Sequence, residues 1–121
     1  MSTKGASNRY GSRSNKPTKH TGYAWAKGFN KKTLDYHYNE HGKEFGTKEE
    51  YAAHAVAFAN TIDRTNNVSF IAKNNSTYRY NLKTNEFAII DSKGYVITYF
   101  KPKESYDYYK KQERIHKKWN I

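Results

Sequence analysis

At 121 residues the chain is one domain's length, with room for a modest core but not for two. Only 36% of it is hydrophobic and 12 residues are tyrosine, so the core must be small and aromatic, and no apolar run is long enough to span a membrane. The absence of cysteine excludes disulfides, thiolate metal sites and a cysteine nucleophile, while a net charge of +11 points to a polyanionic partner, nucleic acid foremost.

The first stretch, residues 1–22, is Ser, Gly, Asn, Thr, Lys and Arg with almost nothing apolar, and reads as a disordered basic arm or linker ahead of a folded domain over 23–121. It lacks the charged, apolar and small-residue order of a secretory signal. The segment TLDYHYNEHG over 33–42 predicts a short helix, with Thr33 as N-cap, Asp35 in the first turn and Gly42 in the left-handed position past the end. On it Leu34, His37, Tyr38 and His41 share one face, directed toward the rest of the protein. A second helix over 47–62 is marked by a capping box, Thr47 with Glu50, and by a stripe of Tyr51, Ala55, Phe58, Ala59 and Ile62; His54 falls beside that stripe as a partly buried structural histidine.

From Val68 the pattern turns to β. Four strands are expected at 68–72, 77–81, 86–90 and 95–101, separated by turns rich in Asn, Asp, Lys, Ser and Gly at a spacing that predicts an antiparallel meander closed by Pro102. A basic helix over 105–119 follows, capped by Ser105. The expected fold is α+β: N-terminal helices packed on a four-stranded antiparallel β-meander, then a C-terminal basic helix.

Two chemistries compete for HYNEH, residues 37–41. Histidines four apart with Glu40 between them match the reversed zinc-peptidase pattern, but no motif singles out a third ligand and a charge of +11 serves a peptide substrate no purpose, so no metal or other cofactor is expected. Metal-free RNA cleavage needs a base for the ribose 2′-hydroxyl, positive charge around the phosphorane and an acid for the leaving 5′-oxygen; histidine and the Arg and Lys donors of the sheet supply these. In TYRYN, Thr77, Arg79 and Asn81 take one face and Tyr78 and Tyr80 the other, and Thr98 shares parity with Phe100, opposite Tyr99 and Lys101. Sequence does not say which parity faces inward; either way one face offers polar groups to a groove.

The same residues resemble the C-terminal domains of bacterial polymorphic toxins, including contact-dependent growth inhibition proteins. The likeness rests on His37, His41 and Gly42 followed by Glu44, Phe45 and Gly46, a helix, and a closing strand ending Thr98, Phe100, Lys101, Pro102, and it covers about residues 33–102. Such domains are similar to the metal-independent RNase superfamily named for barnase, EndoU, colicins and RelE, whose helices pack against a four-stranded antiparallel sheet with the active site on its concave face. The resemblance implies an endoribonuclease, often acting on tRNA, delivered as part of a larger secreted toxin into a target-cell cytoplasm, monomeric when free and neutralised by an acidic cognate immunity protein. It implies His41 and His37 as base or acid, with Arg79, Thr98 and Lys101 as phosphate-side donors; Lys43, Tyr80 and Tyr99 are the expected substrate contacts. A non-catalytic basic nucleic-acid-binding module, in which the histidines only pack or cap, is the reading from another class, and an inactive remnant or adaptor to an acidic partner is a third.

Overall fold

The computed structural model describes residues 26–118; the expected basic arm lies outside them. The chain runs β1 (Gly28–Phe29), α1 (Lys31–His37), a π-helical turn (Tyr38–Gly42), a 3-10 turn (Lys43–Phe45), α2 (Lys48–Asn60), β2 (Asn67–Ile71), β3 (Thr77–Asn81), β4 (Phe87–Ile90), β5 (Tyr95–Phe100) and α3 (Tyr106–His116). The class is α+β, with three α-helices and a five-stranded sheet ordered β1-β5-β4-β3-β2. The expected meander is β2 to β5. The expectation of four strands is corrected by β1, which pairs parallel to β5 through Gly28 with Tyr95 and Phe29 with Val96 and makes the sheet mixed. Two residues carry no periodicity of their own. Their pairing is secured by Asn60, at the end of α2, whose side-chain amide accepts from the Ala26 N–H at 2.7 Å and donates to the Ala26 carbonyl at 3.1 Å.

Helix α1 starts earlier than expected because Asn30, not Thr33, caps it, its side-chain oxygen accepting from the Lys32 N–H at 2.8 Å. Asp35 therefore sits beyond the first turn, where it pairs with Lys48 at 2.7 Å. The α-helical ladder ends at His37 and widens into the π-helical turn, an irregularity that recurs at functional sites. Gly42 does not take the left-handed position; its φ is −96°, and the positive angle of 104° falls at Gly46. Glycine is required at 42 for close approach instead. A Cβ there would lie 2.6 Å from the Tyr38 ring and 2.8 Å from that of Tyr51. Gly42→Ala is expected to push the His41 turn off α2 and lower stability by roughly 1–3 kcal/mol, the usual cost of overpacking, read as a reduced urea midpoint.

The capping box of α2 is formed, with the Glu50 N–H donating to Thr47 Oγ1 at 3.1 Å and the Thr47 N–H to Glu50 Oε1 at 2.8 Å. Tyr51, Ala55, Phe58 and Ala59 are buried as the stripe predicts. Ile62 is not: the helix stops at Asn60, and Ile62 is half exposed. His54 is exposed too, beside Phe45 at 5.1 Å between ring centroids. Ser105 stands at the start of α3 but its side chain makes no capping bond.

Helices cover both faces of the sheet. On one face α2 packs Tyr51, Ala55, Phe58 and Ala59 against Ala88, Ile90, Val96 and Tyr99. On the other, Tyr109 and Tyr108 of α3 pack with Phe70, Tyr78, Tyr80, Phe87 and Phe100. Between them β5 bulges: Ile90 faces Val96 and Ile89 faces Thr98, leaving Ile97 as the extra residue. That is why Val96 and Tyr99, three apart, point to the same core. The expectation of a sheet face offering polar groups to a groove is thus corrected, and the accessible ground lies at the end of β5.

Candidate functional site

At that end the π-helical turn meets the last residues of β5. His37 and His41 stack with ring centroids 5.8 Å apart and an interplanar angle of 22°. His41 stacks in turn on Phe100 at 4.7 Å, also at 22°. An α-helix already puts residues four apart on one side, and the wider turn rotates the second ring back over the first. Beyond the pair opens a depression of about 380 Å³ lined by Asn39, Glu40, His41, Lys43, Glu44, Phe100 and Lys101. Lys101 reaches over the Phe45 ring, 5.5 Å from its centroid, with its Nζ 4.0 Å from Glu44 Oε1. Both partners of that pair are substantially exposed, so the contact holds them weakly.

Burial lowers the pKa of His37 below the usual histidine value, and the neighbouring His41 lowers it further against the opposing pull of Glu40. For His41 burial again outweighs Glu40 and lowers it. Both imidazoles are therefore biased toward the neutral form, and a charge on one opposes a charge on the other. His37 is the more enclosed: its Nδ1 is buried and finds no hydrogen-bond partner among the described residues. Since the unfolded chain binds these protons more readily, near the ordinary histidine value of 6.5, stability is present in full above that pH and is lost as pH falls toward the folded values. Thermal melts from about pH 8 down to about pH 5 are expected to show a falling midpoint, with a shallower fall in His37→Asn.

Of the eight residues singled out from sequence, His37, His41, Lys43 and Lys101 are brought together here. Four are not. Arg79 is fully buried under α2, where its Nε donates to Ser69 Oγ at 3.1 Å and its Nη1 donates to the Ala59 carbonyl. Tyr99 is buried, its hydroxyl donating to Glu86 at 2.5 Å and its carbonyl accepting from the Tyr51 hydroxyl at 2.5 Å; burial, with Glu86 beside it, raises its pKa far above the ordinary range. Tyr80 is buried against Tyr109, its hydroxyl donating to Asn85 at 2.6 Å. Thr98 sits opposite Ile89 in the sheet and does not line the depression. Arg79, expected as a phosphate-side donor, and Tyr80 and Tyr99, expected as substrate contacts, are thus buried away from the depression. The reason is shared: strand alternation assigns them to faces, and a helix occupies each face.

Phe100, which backs His41, carries no sequence mark of that role: its strand parity is legible, its ring contact is not. Lys110 of α3 and Lys117 just past its end are drawn to Glu113 at 2.8 and 3.5 Å, so part of the positive charge there is compensated locally. Among the described residues no group of three or more His, Asp and Glu is placed to hold a metal ion, and no helix is long and apolar enough to cross a membrane. Neither a family model nor a curated protein matches the chain.

Proposed function

We propose that the chain is a metal-independent endoribonuclease of the toxin type, cutting RNA by attack of a ribose 2′-hydroxyl on the adjacent phosphate to leave a 2′,3′-cyclic phosphate. The observation that carries this reading is the stacked His37 and His41 pair, biased toward neutrality, with His41 and two lysines on one open depression. As the 2′-oxygen bonds to phosphorus, an imidazole of the pair takes its proton; the phosphorus to O5′ bond breaks, and the departing oxygen takes a proton from an imidazolium. His41, which lines the depression, exchanges protons with the substrate, and His37 behind it discourages a second charge. Lys43 and Lys101 line the same depression, and in this reading their charge meets that gathering on the phosphorane's equatorial oxygens. Phe100 holds the His41 ring in plane.

The toxin setting, tRNA as the substrate, delivery within a larger protein into a target cell and an acidic immunity partner all rest on the resemblance of residues 33–102, and the net charge of +11 favours an acidic partner over a neutral one. Such a partner would cover Lys43, Lys101 and His41 with carboxylates. A non-catalytic RNA-binding module is the second reading, favoured by one observation: with Arg79 withdrawn into the core, lysines alone serve phosphate at the depression. Product chemistry separates the two. RNA incubated with the chain in EDTA is expected to yield fragments ending in cyclic phosphate, and expression in bacteria followed by sequencing of RNA ends is expected to show a discrete tRNA cut. Intact RNA with retained binding would select the module, and cleavage that needs added zinc would return a metal mechanism.

A further inference from the structure

We infer that Tyr36 forms a stacking subsite for an unpaired nucleobase flanking the phosphate bound at His41, an inference that rests on the endoribonuclease reading. Tyr36 is 63% exposed, more than any other large hydrophobic side chain among the described residues. Helix α1 buries none of its residues, so packing does not account for a bulky ring at this position. Its orientation is set nonetheless. The ring lies 5.2 Å from that of His37 at 78°, a T-shaped contact, and most of its surface stays in solvent beside the histidine pair.

The other aromatic rings near the site are occupied. Phe100 carries His41 on its face, Lys101 lies over Phe45, and Tyr38 packs on Tyr51 while its hydroxyl donates to the Gly46 carbonyl at 2.7 Å. Tyr80 and Tyr99, the rings that strand composition suggests for base contact, are buried. The depression itself is lined by Asn, Glu, Lys and His apart from Phe100, so it offers phosphate contacts and no free platform for a base. Ring spacings of 5.2 Å from Tyr36 to His37 and 5.8 Å from His37 to His41 set Tyr36 one ring beyond the pair, the neighbourhood in which a nucleotide flanking a phosphate at His41 would be sought. Sequence-specific and sequence-tolerant RNA readers alike stack splayed bases on such exposed rings.

The test uses a fluorescein-labelled, 2′-O-methyl uridine ten-mer, which lacks the attacking hydroxyl and stays uncut, and an abasic strand with the same phosphates. Tyr36→Ala is expected to weaken anisotropy-measured binding of the uridine strand roughly 5- to 150-fold, the usual range for loss of one stacked base, while Tyr36→Trp binds at least as well as the parent. Affinity for the abasic strand should not move with either substitution, and thermal melts should coincide because the side chain is exposed. Equal affinity of Tyr36→Ala for the uridine strand, or an equal loss on the abasic strand, would overturn the subsite. The uncleavable probe keeps this separate from catalysis. A null result at Tyr36 beside normal cleavage of ordinary RNA ends the subsite alone, whereas a positive one beside uncut RNA ends the nuclease reading and keeps the subsite on a binding protein.

Discussion

His41→Ala is expected to reduce RNA cleavage in EDTA by a factor of about 10²–10⁴, the range that a positioned acid or base supplies, while the protein stays folded. The side chain is only partly buried, and what it gives the fold is chiefly a stacking contact with Phe100, worth roughly 0.5–1.5 kcal/mol. Loss of activity should therefore far exceed loss of stability. His37→Ala should cost less activity at neutral pH, because His37 stands behind His41 and does not line the depression. The pH profile gives an independent check. A base works only as the neutral imidazole, and the His41 pKa is lowered by burial, so its limb of the rate profile should rise with pH with its midpoint below the ordinary histidine value of 6.5. Removing Glu40, whose charge raises both pKa values, should shift that limb to still lower pH. Fragments counted by end sequencing at a series of pH values measure all of these. Cleavage that persists undiminished in His41→Ala would assign the histidines to packing.

Much of the architecture can be read without coordinates, for reasons that are local. Strand alternation, Asn- and Gly-bearing turns and the Thr47 to Glu50 capping box act within a few residues of where they are written. What cannot be read depends on distant partners. β1 is a strand only because β5 lies beside it and Asn60 holds Ala26. The π-helical turn ends at Gly42, which lies so close to Tyr51 on α2 that a Cβ would clash, a contact no local pattern announces. Alternation placed Arg79 and Tyr80 on opposite faces correctly, yet their burial depends on which helix covers each face. The candidate site divides along the same line. The spacing of His37 and His41 is written in the helix, whereas Lys101, expected as the last residue of a strand over 95–101, lies just past β5; the backing by Phe100 emerges only where the turn and the strand end meet, and the exposure of Tyr36 only from how α1 packs.

Arg79 is where charge and function part, and its replacement is expected to have the largest effect on stability. Its guanidinium is 0% exposed and donates to the Ala59 carbonyl, one of the last carbonyls of α2, which lack partners within the helix and carry the negative end of its dipole. The bond to Ser69 Oγ at 3.1 Å ties the same group to edge strand β2. Arg79→Ala would leave those acceptors buried and open a cavity between helix and sheet, for a cost of roughly 2–5 kcal/mol. Arg79→Met should recover part of that by filling the space without restoring the donors. At roughly 4–8 °C per kcal/mol for a domain of this size, the alanine variant should melt well below the parent. Cleavage per folded molecule, measured beneath its transition, should stay near the parent's. The opposite pattern, a large fall in turnover with an unchanged urea midpoint, would reinstate Arg79 as a phosphate ligand reached through movement of α2.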